Sequence, residues 1–156
     1  MKLDFLKQFI KQTKTDSLKT KDYPKEFLDL KMKVSFGQGA LARVPWVALR
    51  APDMPVSNGY NPVYLFYKKQ GILVLSYGIS ETHIPEKSWE PSIHETKTRI
   101  DEFIDNPARY GDSYVHKYYE PRIEGEEVNF YRDNVKVSEE LIFNELLEIV
   151  NFFKKC

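Results

Sequence analysis

Apolar residues change their spacing several times along the chain, and each change marks an element. Leu3, Leu6, Phe9 and Ile10 recur at helical spacing, which predicts an amphipathic helix over residues 2–14 with lysines on its outer side. Thr13–Thr20 is polar and reads as a loop. Pro24 is placed to open a short helical turn through Phe27 and Leu28, because a first turn tolerates a missing N–H. From Leu30 the period becomes two. Leu30, Met32, Val34 and Phe36 alternate with Lys31, Lys33 and Ser35, the pattern of a half-buried strand with a lysine-bearing outer face.

Gly37-Gln38-Gly39 ends that strand, and Val44–Leu49 reads as the next, with Pro45 near its start. Residues 50–62 hold three prolines and Asn58-Gly59, the strongest loop signal in the chain. Val63–Tyr67 and Ile72–Ile79 follow as strands joined by a Lys68–Gly71 hairpin turn. Residues 93–104 look helical, with Ile93, Ile100, Phe103 and Ile104 inward, and Ser113–Tyr119 reads as a strand. Ser138 caps a last helix whose first turn holds acids, where the helix dipole favours them. Its buried face is Ile142, Leu146, Ile149, Val150 and Phe153. Helix, clustered strands, then helices predict one α+β domain over residues 1–156. The expected sheet is mixed, mostly antiparallel and curved, flanked by the N- and C-terminal helices.

Composition supports a packed core, with 42% hydrophobic and 14% aromatic residues in 156. The zero net charge conceals a gradient. Residues 1–50 carry eleven basic and five acidic side chains, and residues 101–156 carry seven and thirteen. A basic front half suits a polyanion-binding surface, and it suits an ordinary solvated face as well. No apolar stretch is long enough to cross a bilayer, and the N-terminus lacks the pattern of a signal peptide. Cys156 is the single cysteine, so an internal disulfide and a thiolate metal cage are both excluded. The expectation is a cytoplasmic protein with no membrane partner.

Signatures of catalysis are missing. There is no Gly-rich phosphate loop and no Gly-x-Ser-x-Gly elbow. His83, His94 and His116 are scattered, without the spacing of metal ligands. Glu86-Lys87 lacks a second acid for nuclease chemistry, and Cys156 sits at a terminus that cannot orient a base. A binding domain without enzyme activity, metal or cofactor is expected.

Aromatics and lysines cluster instead around glycine turns: Phe36-Gly37-Gln38-Gly39, Pro45-Trp46, Asn58-Gly59-Tyr60-Asn61-Pro62 and Tyr110-Gly111-Asp112-Ser113-Tyr114. Each aromatic alone could be simple core packing. Together they offer the parts needed to hold a base taken out of a duplex: flat walls, backbone close to a ligand, and cations for phosphates.

Lys21-Asp22-Tyr23-Pro24, Leu30 through Gly39, Val44-Pro45-Trp46, Ser57-Asn58-Gly59, Pro62-Val63, Tyr67-Lys68 and Tyr77-Gly78-Ile79-Ser80 closely resemble the N-terminal DNA-recognition domain of the McrB family. Those proteins are the specificity subunits of McrBC-type, modification-dependent restriction systems. The resemblance is dense from about residue 21 to Trp89, resumes at Tyr110–Tyr114 and fades over the last forty residues. It implies an α+β domain that binds methylated DNA and flips the modified cytosine into a pocket.

Carried over by position, Trp46 and Leu65 become pocket walls, and Tyr110 lies at the same cavity. The Asn58–Asn61 loop matches the element that enters the gap left by the base. Where the family pattern has a stacking tyrosine between the two glycines, this chain has Gln38. Where it has a gap-filling tyrosine before the proline, this chain has Asn61, with Tyr60 one residue earlier.

The resemblance further implies an AAA+ GTPase domain and a McrC-like nuclease as partners in the full system, and no Walker motif occurs in these residues. The expected function is recognition of a methylated base, 5-methylcytosine, in double-stranded DNA by base flipping. Gln38, Trp46, Leu65 and Tyr110 form the base pocket, Tyr60 or Asn61 fills the gap, and Lys31, Lys33, Arg43, Lys68 and Lys69 contact the DNA backbone. The alternatives are a reader of a different modified base and a protein-interaction domain that keeps the fold without flipping. A third, an enzyme acting on the flipped base, would need an acid such as Asp112 in the pocket.

Overall fold

A computed structural model describes residues 2–53, 59–81 and 88–156. Asn58, His83, Glu86 and Lys87, singled out above, lie outside the described residues. The elements run α1 (Asp4–Gln12), β1 (Glu26–Phe27), β2 (Leu30–Ser35), β3 (Trp46–Arg50), β4 (Tyr60–Tyr67), β5 (Ile72–Ile79), α2 (Pro91–Thr96), α3 (Ile100–Phe103), β6 (Tyr114–Glu124), β7 (Glu127–Arg132), β8 (Val135–Val137) and α4 (Glu139–Lys155). The eight strands pair in chain order, and every pairing is antiparallel. The result is an α+β domain built on one open meander, flanked by its N- and C-terminal helices.

Alternation decides what each face of the sheet does. Leu30, Met32, Val34, Val47, Leu49, Tyr64, Phe66, Leu73 and Leu75 point to one face, where they meet Phe5, Leu6, Phe9 and Ile10 of α1 and Ile142, Leu146, Ile149 and Val150 of α4 in one core. The opposite face carries a smaller core of Val44, Ala48, Val63, Leu65, Tyr67 and Val74 with Ile100 and Ile104. All eight residues of β4 are buried, as expected of a central strand covered on both faces. α3 covers only part of the second face, and the uncovered part holds the cavity described below.

Three local readings of the sequence are corrected. The expected helical turn after Pro24 is a hairpin: Phe27 pairs with Leu30 across Leu28 and Asp29, both with positive φ (52° and 64°). That geometry matches the right-handed twist of its strands. β7 and β8, absent from the sequence reading, form a second hairpin through Asp133 and Asn134, also at positive φ. The helix expected over 93–104 is broken between α2 and α3. There Thr98 accepts a hydrogen bond from the Val115 N–H (2.8 Å) and Arg99 bridges to Tyr114, so pairing with β6 overrides helical periodicity. Pro62 lies inside β4, one residue beyond the stretch paired with β3, where its missing N–H is least costly.

β6 turns the sheet. Its first half pairs with β5 and its second with β7, and the register shifts between Leu75 and Ser76. Leu75 faces Lys117 while Ser76 faces Val115, leaving His116 as the extra, bulged residue. The bulge sends both His116 and Lys117 toward α4. His116 shares its Nδ1 with the Tyr77 hydroxyl (3.1 Å) and its Nε2 donates to the Glu145 carbonyl (3.1 Å).

Burial lowers the His116 pKa from its ordinary value, outweighing the pull of Glu148 in the other direction; nearby Lys117 lowers it further. The folded protein therefore binds fewer protons at this site than the unfolded chain once the pH falls below about 6.5. Stability is expected to be fully present above that pH and to decline as the pH drops toward the folded value. Melting temperatures recorded from pH 7.5 to 5.5 check this, and His116→Gln is expected to flatten that part of the profile.

Candidate nucleic-acid interface

A cavity of about 570 Å³ opens on the second face of the sheet. That size lies within the range of small-molecule sites. Its floor is strand-built: Trp46 and Arg50 from β3, Asn61, Val63 and Leu65 from β4, and Gly78 from β5. Trp46 sits opposite Leu65, and Asn61 opposite Gly78, in the strand register. Gly78 is a space requirement. A Cβ there would lie 2.6 Å from Val63 Cγ1 and 2.8 Å from the Asn61 carbonyl oxygen.

One rim comes from β2 and the turn after it, through Lys33 and Gln38. The turn is tight, with the Ala42 N–H donating to the Phe36 carbonyl at 2.8 Å. Gly37 adopts φ +119°, and a Cβ on it would meet the Ala40 carbonyl oxygen. Only glycine fits, and the turn presents Gln38, exposed, to the cavity.

The other wall is the segment between α3 and β6. Asn106, Ala108 and Tyr110 all take positive φ, an unusual density of left-handed residues. Surrounding bonds hold the segment in place. Tyr67 donates its hydroxyl to the Arg109 carbonyl (3.0 Å), and Glu81 accepts both the Tyr110 N–H (2.8 Å) and Arg109 Nε (2.6 Å). The Arg109 guanidinium lies 4.8 Å from the Tyr110 ring centroid. Burial, and then the Glu81 charge, raise the Tyr110 pKa against the opposing effects of Arg109 and the Trp46 side chain. The phenol is neutral at physiological pH. Ser113 closes the wall, its hydroxyl oxygen accepting the Ile79 N–H at 3.0 Å.

Gln38, Trp46, Leu65 and Tyr110, named from the sequence as a base pocket, thus line one cavity, although they come from four separate stretches. Asn61 lines it as well, its side chain inside the cavity and only 6% of the residue exposed. Tyr60 does not. Its neighbouring position on β4 sends the ring to the opposite face, against Trp89 (5.2 Å) and Phe153 (5.6 Å), where it is buried. Filling a gap in a duplex would require unpacking that core, so Tyr60 is corrected from loop-tip aromatic to core residue. Asp112 is exposed and paired with Arg99 (2.5 Å), not among the cavity residues.

The cations are distributed more widely. Lys31 and Lys33 alternate with the core residues of β2 and so share the cavity's face; Lys31 is paired with Glu26 (2.5 Å). Arg43 is exposed ahead of β3, and Lys68 and Lys69 occupy the β4–β5 turn, at the far end of β4 from Asn61. Sequence reading missed Arg50, Val63, Gly78, Glu81, Arg109 and Ser113 at the cavity. Arg50 had a usable signal, since it lies two alternations after Trp46. Glu81 and Arg109 had none, because only folding brings them together. Among the described residues, no group of three or more His, Cys, Asp or Glu could hold a metal ion, and no helix is long and apolar enough to cross a membrane.

A meander sheet with one face covered by helices and the other opening into a cavity lined by Trp46, Tyr110, Lys33, Arg50 and Arg109 has the architecture of a binding domain. The chain belongs to the MrcB-like N-terminal domain family, which it matches over residues 2–156. It is also 39% identical over 116 residues to the type IV methyl-directed restriction enzyme EcoKMcrB subunit of Escherichia coli (strain K12). That match covers 74% of this chain and 25% of the relative, so the chain spans about a quarter of the relative's length.

Proposed function

We propose that this chain is a modification-dependent DNA-binding module that takes a methylated base, 5-methylcytosine, out of duplex DNA into the cavity beside Trp46. The observation that carries the proposal is the convergence of Gln38, Trp46, Leu65 and Tyr110 on one open cavity on the lysine-bearing face. A flipped base costs a few kcal/mol in lost stacking and pairing, which flat walls and polar groups at its edge can offset. Trp46 and Tyr110 supply aromatic surface, and Leu65 and Val63 supply apolar contact for a methyl group. Lys33 stands at the rim, and Lys31, Arg43, Lys68 and Lys69 are further phosphate contacts, sequence-independent and salt-sensitive.

The relative's methyl-directed restriction activity supports the same reading. In the full system the module would direct an AAA+ GTPase domain and a McrC-like nuclease to modified DNA.

Fluorescence anisotropy at fixed salt, with otherwise identical duplexes carrying cytosine, 5-methyl-, 5-hydroxymethyl- or N4-methylcytosine, or N6-methyladenine, tests the proposal. Preference of about tenfold or more for the 5-methylcytosine duplex is expected, and equal affinity for all would overturn the reader function. Enhanced 2-aminopurine fluorescence at the target position is the expected sign of flipping. Discrimination without it would favour recognition inside the duplex.

A further inference from the structure

Among the described residues, four polar or charged ones are buried: Asn61, Ser76, Ser113 and Glu145. Three of their side chains are satisfied within the protein. Ser76 donates to the Tyr114 carbonyl (2.8 Å), Ser113 accepts from the Ile79 N–H, and Glu145 takes bonds from Tyr119 and Arg132. The Asn61 carboxamide alone among them has no protein partner within the described residues, although Asn61 is 94% buried. Its amide atoms are not among the fully desolvated groups of the described residues that lack a hydrogen bond, which are the Tyr64 hydroxyl, Arg99 Nε and one Glu139 oxygen. The carboxamide therefore keeps its hydrogen-bonding capacity for what enters the cavity. Asn61 lines that cavity, paired across the sheet with Gly78, whose missing side chain lets Val63 and the Asn61 backbone pack close.

We infer that Asn61 is the specificity residue that hydrogen-bonds the polar edge of the base in the cavity. The inference rests on the base-in-cavity reading above and adds the group that reads the edge. A carboxamide sets one acceptor oxygen beside a donor NH₂. Cytosine presents the complement, an amino donor at N4 beside an acceptor at N3, as adenine does with its amino group and neighbouring ring nitrogen. Asparagine pairs with such edges in direct base readout. Ser113 assists at the adjoining wall: its oxygen already accepts the Ile79 N–H, which leaves the hydroxyl proton to donate. The placement also separates this role from gap filling. A group that fills the hole in a duplex must project beyond the fold, and this side chain lies within it.

The test uses the full chain and three variants, Asn61→Asp, Asn61→Ala and the near-isosteric, apolar Asn61→Leu. Each is titrated with duplexes carrying 5-methylcytosine, unmodified cytosine or an abasic site at the target position. All three variants are expected to lose about five- to a hundredfold in affinity for the 5-methylcytosine duplex. Binding to the abasic duplex should stay within about twofold for the uncharged variants. Asn61→Leu should also keep close to the wild-type melting temperature, because the carboxamide it replaces makes no hydrogen bond within the described residues. Loss of binding together with retained stability is a combination that a purely structural role would not produce.

Wild-type discrimination that survives in every variant would overturn the assignment while leaving the cavity reading intact. Equal losses on the 5-methylcytosine and abasic duplexes would also overturn it, in favour of gap filling. Absence of discrimination in the wild type would remove the cavity reading, and the assignment with it.

Discussion

Replacing Trp46 by alanine is expected to reduce affinity for a 5-methylcytosine duplex by about ten- to a hundredfold. Stacking of a base on an aromatic side chain is worth about 1–3 kcal/mol, and Trp46 is the largest flat surface in the cavity. The effect should be confined to the extruded base. Affinity for unmodified duplex, supplied by phosphate contacts, should change little at the same salt concentration. Trp46 is half-buried at the edge of the smaller core, so the larger core under α1 and α4 is not disturbed. Trp46→Phe keeps part of the stacking face and is expected to recover part of the loss. Titration of both variants against modified and unmodified duplexes checks the prediction; an unchanged affinity ratio in Trp46→Ala would remove the indole from the site.

The largest stability effect is expected on the other face of the sheet, at Glu145 of α4. Its carboxylate is buried and takes a two-pronged contact from Arg132 (3.0 and 3.2 Å) and the Tyr119 hydroxyl (2.7 Å), with Lys117 at 3.9 Å. Burial works against the charge. The hydrogen bonds from Arg132 and Tyr119, with the positive charges of Arg132 and Lys117, outweigh it and hold the carboxyl below its ordinary range. This cluster fixes α4 against β6 and β7.

Glu145→Ala leaves Arg132 and Tyr119 facing a hole without a counter-charge, and breaking a buried pair from one side costs about 3–5 kcal/mol. A fall in melting temperature on the order of 10 °C is expected for a domain of this size. Replacing all three partners with apolar residues, Glu145→Leu with Arg132→Met and Tyr119→Phe, should recover most of the loss, because the desolvation cost disappears with the charges and no buried hydroxyl is left unpaired. Denaturant titration of the single and triple variants separates the two effects. The Glu145 contribution should persist down to about pH 4.5 and disappear below it, a window distinct from that of His116.

Elements whose signal is local were legible. Ser138 accepts the Leu141 N–H at 3.1 Å, the capping geometry expected from a serine ahead of two acids, and α4 runs from the next residue. β2 and β5 follow their alternation to within a residue. Three hairpins were missed. Those at Leu28-Asp29 and Asp133-Asn134 turn without a glycine, so the usual left-handed signal was absent at the first and weak at the second. The β6–β7 turn carries that signal in Gly125 (φ 67°) but sits in a charged, weakly apolar stretch. Tyr60 was misassigned because its neighbours Asn58, Gly59 and Pro62 all suggest a loop. The strand starts at Tyr60 because the residues from there to Tyr67 pair with β5 over eight consecutive positions.

The amino-acid order alone determined which residues alternate and which recur at helical spacing, and hence that the lysines of β2 lie opposite its core residues. It also determined that glycine turns carry Gln38 and Tyr110 beside the strands. Such properties depend on neighbours within one turn or one pleat, where sterics and side-chain period act directly. Tertiary structure decided that the covering helix over the second face is short, that Glu81 clamps Arg109 and Tyr110, and that Asn61 faces inward while Tyr60 joins the opposite core. Those outcomes depend on contacts between residues dozens of positions apart, whose energies exist only once the sheet has brought them together.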